Sequence, residues 1–331
     1  MKNYLIKTLN AMAVGLFSSL IIGLILKQTG DLTGWKLMTI FGRTAQLLMG
    51  SAIGAAVAHA VGGGPLVVIA SLATGAVGAG SIKIEEASVS IGIGEPMGAF
   101  VAAVIGAEIG RRVQGKTKLD IVLVPAVTII SGALAGTLIA PFVALMMKSL
   151  GMILNRATEL QPIPMGIVLS VLMGVILTLP ISSAALSIAL GLEGLAAGAA
   201  LVGCCCQMVG FAVISYRENK VGGLIAQGIG TSMIQIPNII RNPKIWIPPT
   251  VASAILGPLS TAVFKMESSS IGAGMGTSGL VGQFATFSVM GKQALLPMLI
   301  LHFLLPALLS LVIAELMRKK GHIRLGDMKL N

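Results

Sequence analysis

Apolar residues run through this chain in long blocks, separated by short polar or glycine-rich intervals. The blocks lie near 9–26, 37–61, 64–80, 96–110, 120–147, 163–181, 185–212, 222–240, 246–264 and 294–316. A helix needs about 20 mostly apolar residues to cross a bilayer, so the pattern predicts an all-α polytopic membrane protein with about ten transmembrane helices. Two stretches, 81–95 and 267–291, are rich in glycine and serine and too short of apolar length for a simple span. Both are predicted to be re-entrant hairpins or broken helices.

Composition agrees with this pattern. Hydrophobic residues make up 55% of the chain and charged residues 11%, with a mean hydropathy of +0.94. A soluble domain carries about 25% charged residues. The 42 glycines suit close helix packing in lipid. The net charge of +11 is read as positive-inside loops, not as a nucleic-acid surface, because no long basic run with stacking aromatics accompanies it. Lys2 and Lys7, then Arg111, Arg112, Lys116 and Lys118, then Arg318, Lys319, Lys320 and Arg324 share one side of a ten-span map. That side is cytoplasmic by the positive-inside rule, which places both termini there in a bacterial cytoplasmic membrane. Lys27, Lys36 and Arg43 pull the other way, partly offset by Asp31. Tyr4, Trp35, Tyr216 and Trp246 fall at predicted span ends, as an interfacial belt requires. The first apolar run lacks a small-residue cleavage site and is read as an uncleaved span.

Candidate chemistry centres on IGIGEPMGAFVAAVIGAEIG, residues 91–110. Glu95 sits there between glycines and a proline in an otherwise lipid-compatible run. A charge at bilayer depth costs roughly 2.5–3.5 kcal/mol on insertion scales. Gly92, Gly94 and Pro96 break helix regularity, and irregular backbone at that depth survives only beside protein or a water-filled cavity. The two features together indicate a polar solute site near the membrane midplane. An ionised carboxylate accepts hydrogen bonds from two hydroxyls, which fits a sugar or polyol; a coupling-ion site or a helix-terminus cap are the other uses open to it. Glu85 and Glu86 read as a solvated hairpin edge, and Glu108 as an ion-pair partner of Arg111 and Arg112.

The two halves of the chain echo each other. LLMG (47–50) is matched by VLMG (171–174), GAVG (75–78) by ALVG (200–203), and GIGEP (92–96) by GIGTS (228–232). DIVLVPAVTIISG (120–132) likewise resembles KIWIPPTVASAILG (244–257). This predicts a first membrane repeat over 1–160, a second over 161–316 and a basic cytoplasmic tail over 317–331. Five spans per half would make the repeats inverted. Thr231, Ser232, Gln235 and Asn238 cluster around Pro237, at spacings that place several on one helix face, and would face Glu95 in a shared site. The substrate-binding set is therefore Glu95 with its neighbours Gly94 and Pro96, then Thr231, Ser232, Gln235 and Asn238, with His59 as a further polar candidate.

Other motifs have plainer readings. ESSSIGAGMGTSGLVGQ (267–283) lacks the G-K-[S/T] ending of a phosphate loop and reads as a second hairpin tip. His302 reads as an interhelix hydrogen-bonding group and His322 as a solvated tail residue. Cys204, Cys205 and Cys206 are adjacent, without zinc-ligand spacing, and read as small packing residues. No catalytic triad, metal cluster or cofactor motif is visible.

One stretch carries a family resemblance. GIGTSMIQIPNIIRNPKIWIPP (228–249) is similar to part of the membrane IIC component of sugar phosphotransferase systems. In that superfamily a G-I-[S/T]-E-P motif is followed by N-P and then I-P. Here Gly228 and Ile229 open it, Asn242-Pro243 follow, and Ile247-Pro248 stand at the I-P place. Thr231 and Ser232 occupy the E-P positions, whereas the intact GIGEP lies in the first half. In length and layout the chain resembles a stand-alone IIC-like family that includes the clostridial perfringolysin regulator protein. The resemblance implies a homodimer, re-entrant hairpins at the substrate site, a moving transport domain, and a motif glutamate that bonds a sugar hydroxyl, here Glu95. It also implies separate IIA and IIB proteins as phosphoryl donors, since residues after 316 form only a short tail. The function expected is alternating-access transport of a sugar, polyol or similar hydroxylated solute. An ion-coupled permease without phosphorylation, or a membrane sensor regulating gene expression, are the alternatives.

Overall fold

The computed structural model describes residues 2–85 and 88–330. It divides into two compact units, Met1–Met146 and Met147–Asn331. Both are mostly helical, and among the described residues five helices are long and apolar enough to cross a membrane: Tyr4–Asp31, Asp120–Val143, Gly194–Ile214, Pro243–Val263 and Ser278–Lys319. A sixth crossing arises if Lys36–Leu47 and Met49–Ala60, bent by 53°, are taken as one. Pro65–Ala79 and Pro162–Thr178 are apolar but shorter.

In the first unit, Lys2–Leu16 passes through a π-helical turn, Phe17–Ile21, into Ile22–Thr33. Ser19 lies in that turn and its hydroxyl donates to the Gly15 carbonyl, 2.9 Å away. The core of the unit is glycine on glycine. A Cβ built on Gly50 would lie 2.7 Å from the Gly75 carbonyl oxygen, and one on Gly98 would lie 2.1 Å from that of Gly78. Met49–Ala60, Pro65–Ala79 and Pro96–Val113 therefore approach almost backbone to backbone, the packing that small residues permit where lipid gives helices no hydrophobic reason to associate. At one end of the unit Glu108 binds Arg111 at 2.9 Å and accepts a 2.8 Å bond from the Tyr4 hydroxyl. The expected ion pair is present and has recruited one of the belt aromatics.

Residues 81–95 are not a broken helix. Ile82–Glu85 (β1) and Ser88–Ile91 (β2) form an antiparallel hairpin with Ile82 opposite Ile91 and Ile84 opposite Val89. The reason is in the sequence: β-branched residues alternate with polar ones there, a period of two that helix templates miss. Glu86, expected at a solvated edge, lies outside the described residues, as does the Glu85 side chain.

The second unit is organised around Gly194–Ile214, 89% of whose most apolar window is buried. Pro162–Thr178, Ile247–Pro258 and Leu305–Lys319 pack on it. Cys204, Cys205 and Cys206 are fully buried in this helix, as small packing residues should be. The predicted span 222–240 is not one helix. Tyr216–Ile225 runs into a π-helical turn, Ala226–Gly230; Thr231 is then extended, at φ −161°, and a 3-10 turn, Ser232–Gln235, opens the short helix Ile236–Arg241. Glycines 222, 223, 228 and 230 weaken the helix, and Thr231 restarts it as a cap. Residues 267–280 are broken too, with short helical pieces at Ser270–Ala273 and Ser278–Leu280 and left-handed backbone at Gly276, Gly279 and Leu280, before the regular helix Val281–Met290.

Candidate solute site

The two GIG motifs each lead into an extended N-cap residue, although Gly94 is left-handed and Gly230 closes a π-helical turn. In the first unit Gly94 takes φ +79°, and a Cβ there would sit 2.5 Å from the Ala79 carbonyl oxygen, so this corner requires glycine. Glu95 follows in extended conformation and donates its backbone N–H to that same carbonyl at 2.9 Å. It is the N-cap of Pro96–Val113, with buried Pro96 at the first helical position, where its missing N–H costs nothing. The half-buried Glu95 carboxylate does not cap that helix. In the second unit Thr231 is likewise extended and an N-cap, with Ser232 first in the following turn. Its hydroxyl accepts from the Met233 N–H at 3.1 Å. Glu95 and Thr231 thus take equivalent places, and so do Pro96 and Ser232.

The parallel extends to packing. Gly50, the glycine of LLMG, meets Gly75 on the helix that carries GAVG; Gly174, the glycine of VLMG, meets Gly203 on the helix that carries ALVG.

Around GIGTS the polar groups face two ways. Inward, the Ser232 and Thr178 hydroxyls share a 2.8 Å bond. Gln207 connects to this pair through Thr178, at 3.4 Å, and accepts the Trp246 indole N–H at 2.9 Å. Trp246, expected in an interfacial belt, is therefore tied to the interior. The glycine- and serine-rich segment closes over the motif, with Thr277 donating to the Gly228 carbonyl and Ser278 to that of Gly230 at 2.8 Å. This brings the two unusual segments of the second half together. Replacing Ser232 with alanine leaves the buried Thr178 hydroxyl with one partner fewer; a destabilisation of about 1 kcal/mol is expected, read as a lower melting temperature of the purified protein. An unchanged melting temperature would mean that the bond contributes nothing.

In the other direction, Gln235 and Asn238 are bonded to each other at 2.8 Å, as their i, i+3 spacing suggested. Gln235 also binds Gln227 at 2.8 Å. Their remaining amide hydrogens go to carbonyls of Met328 and Lys329, at 3.0 Å each. These carbonyls belong to the segment expected as a basic cytoplasmic tail, 317–331. His322 is indeed exposed, but Ile323 and Met328 are buried. Below this segment, burial raises the Glu218 carboxyl above its ordinary range, opposed by the amides of Gly326 and Met328 and by Arg318.

Two histidines fall away from these corners. His59 is exposed in the last turn of Met49–Ala60. Gly50, at the start of that helix, contacts Ala79; a rise of 1.5 Å per residue puts His59 about 14 Å further along. His302 is fully buried and its Nδ1 bonds Gln283 at 3.2 Å, the inter-element role expected of it. A cavity of about 570 Å³ opens beside Thr158, Pro162, Leu190 and Glu193. None of the expected site residues lines it.

A family model described as phosphotransferase system, EIIC, matches residues 6–330. No curated protein matches the chain, and no solved structure matches it.

Proposed function

The chain belongs to the phosphotransferase-system EIIC family, a family of membrane permeases, and from that premise we propose that it moves a sugar, polyol or similar hydroxylated solute by alternating access. The supporting observation is the shared corner: GIGEP, after a β-hairpin, and GIGTS, after a π-helical turn, each put their fourth residue in extended backbone at the N-cap of a helical segment. Such corners hold a side chain at fixed direction beside helix N-termini, where irregular backbone can line a solute path. Glu95 accepts solute hydroxyls, and its charge strengthens those bonds. Thr231 and Ser232, with Gln235 and Asn238, supply the neutral donors and acceptors of the second half.

In this reading the chain crosses the bacterial cytoplasmic membrane about ten times. The two halves are inverted repeats, and the protein works as a homodimer. The segments around 81–95 and 267–291 enter the membrane without crossing it. EIIC proteins act with IIA and IIB proteins, so the solute arrives inside as a phosphate ester.

Two measurements test the proposal. A thermal-stability screen of purified protein with hexoses, polyols and organic acids is expected to show stabilisation by a hydroxylated member. Uptake into inverted or right-side-out vesicles, supplied with phosphoenolpyruvate and the IIA and IIB proteins, then reads the product. A phosphorylated solute supports the phosphotransferase route; an unmodified solute whose uptake follows a proton or sodium gradient would overturn it. Topology is checked by cysteine labelling in a background lacking Cys204–Cys206. Residue 320 is expected to label only from the cytoplasmic side, and labelling from outside would refute the even-span arrangement.

A further inference from the structure

The segment 321–330 is held in a manner unusual for a solvated tail. Asn219 grips its backbone from both sides: the Asn219 amide donates to the Met328 carbonyl at 2.8 Å, and its oxygen accepts the Leu330 N–H at 2.8 Å. That pairing imitates one rung of a β-ladder with a side-chain amide. Glu218 accepts the Met328 N–H at 2.8 Å, Gln235 donates to the same Met328 carbonyl that Asn219 binds, and Asn238 donates to the Lys329 carbonyl. Asn242 reaches the His322 carbonyl at 3.1 Å and the Asp327 carboxylate at 2.8 Å. The Met328 side chain is fully buried, whereas Leu325 is 74% exposed. Side chains of two separate elements, Tyr216–Ile225 and the stretch 235–242, therefore read main-chain groups of a third, with two buried apolar side chains, Ile323 and Met328.

We propose that residues 321–330, a turn over 325–328 running into 329–330, form a releasable strap seated in a cleft that recognises its main-chain groups. Recognition through main-chain groups depends little on the occupant's sequence, so the cleft is a receptor in its own right. While seated, the strap ties the helix Tyr216–Ile225 to the segment following GIGTS and occupies the free amide hydrogens of Gln235 and Asn238. Released, it frees both the segment and those donors. The chain supplies its own occupant at high effective concentration, which keeps the cleft closed by default. Few backbone–backbone bonds hold the strap to the rest of the unit, and segments attached in this way open at low cost. The proposal stands independently of which solute is carried.

The test uses the full chain with Cys204–Cys206 replaced by alanine and one new cysteine, Met328→Cys or Leu325→Cys. A water-soluble maleimide is expected to label position 325 quickly and position 328 slowly. Adding Asn219→Ala removes two bonds to the strap and is expected to speed labelling at 328 by about tenfold or more, with the melting temperature retained. A variant lacking residues 321–331 is expected to bind a fluorescent peptide of that sequence, and Asn219→Ala to weaken this binding by a similar factor. Equal labelling at 325 and 328 would show that the segment is not seated and overturn the proposal. If the truncated protein does not fold, the Asn219→Ala full chain decides: loss of its melting transition as well would make the segment a structural member and not a strap.

Discussion

Glu95→Gln is expected to weaken solute binding by roughly one to two orders of magnitude while leaving the melting temperature nearly unchanged. The substitution keeps the shape of the side chain and some hydrogen-bonding capacity but removes the charge. Hydrogen bonds to charged groups contribute about 1.5–3 kcal/mol, and each 1.4 kcal/mol is about tenfold in affinity. Stability should hold because the corner is built by other groups: Gly94 turns the chain, the Glu95 backbone N–H binds the Ala79 carbonyl, and Pro96 starts the helix. The Glu95 carboxylate accepts none of the first amides of that helix, which argues against a purely capping role. Affinity for the solute found by the stability screen, measured at two pH values beside the melting temperature, separates the possible outcomes. Retained affinity with lost pH or cation dependence would assign Glu95 to coupling instead. Unaltered affinity, pH dependence and melting temperature together would remove it from the site.

Gly203→Ala is expected to be the most damaging single methyl group in the second unit. Its Cβ would lie 1.8 Å from the Ser170 carbonyl oxygen, which is main chain and cannot swing aside. Ser170 donates to the Ser253 carbonyl at 2.8 Å, and Ser253 donates to the Gly203 carbonyl at 3.3 Å. Three helices thus meet at this point, and separating two of them breaks bonds to the third. Overpacking costs typically 1–3 kcal/mol, and about 3 kcal/mol is expected here because the clash is backbone on backbone. Gly222→Ala is the control: nothing lies within 4 Å of its Cβ position. Thermal unfolding in detergent should show a clear drop for Gly203→Ala and almost none for Gly222→Ala. Equal melting temperatures would mean that the glycine contact is not required for packing. The same experiment on Gly54, whose Cβ would fall 1.9 Å from the Ser71 carbonyl oxygen, extends the test to the first unit.

Much of the candidate site was legible because its signals are local. Pro96 after Gly94 announced a helix start with a sharp turn before it, and the glutamate between them stood out against the apolar run. Glu108 and Arg111 pair at helical spacing, so their ion pair could be read directly. Gln235 and Asn238 were grouped correctly for the same reason. The split of that cluster was not legible: Ser232 turns toward Thr178 while Gln235 and Asn238 turn toward Met328 and Lys329. One extended residue, Thr231, sets the direction of everything after it, and its conformation depends on the segments packed around it.

The long apolar helices, the membrane class and the EIIC resemblance follow from the sequence alone, because a spanning helix satisfies its own backbone and shows its character in every residue. The β-hairpin at 82–91 was also encoded, in a period of two, but too briefly to outweigh its glycine- and serine-rich surroundings. The place of residues 321–330 belongs to tertiary structure alone. Their bonds run from main-chain carbonyls and amides, which every residue type carries, to side chains some 90 to 110 positions away. No composition or spacing marks such a contact; only the folded second unit brings Glu218, Asn219, Gln235 and Asn238 together around this segment.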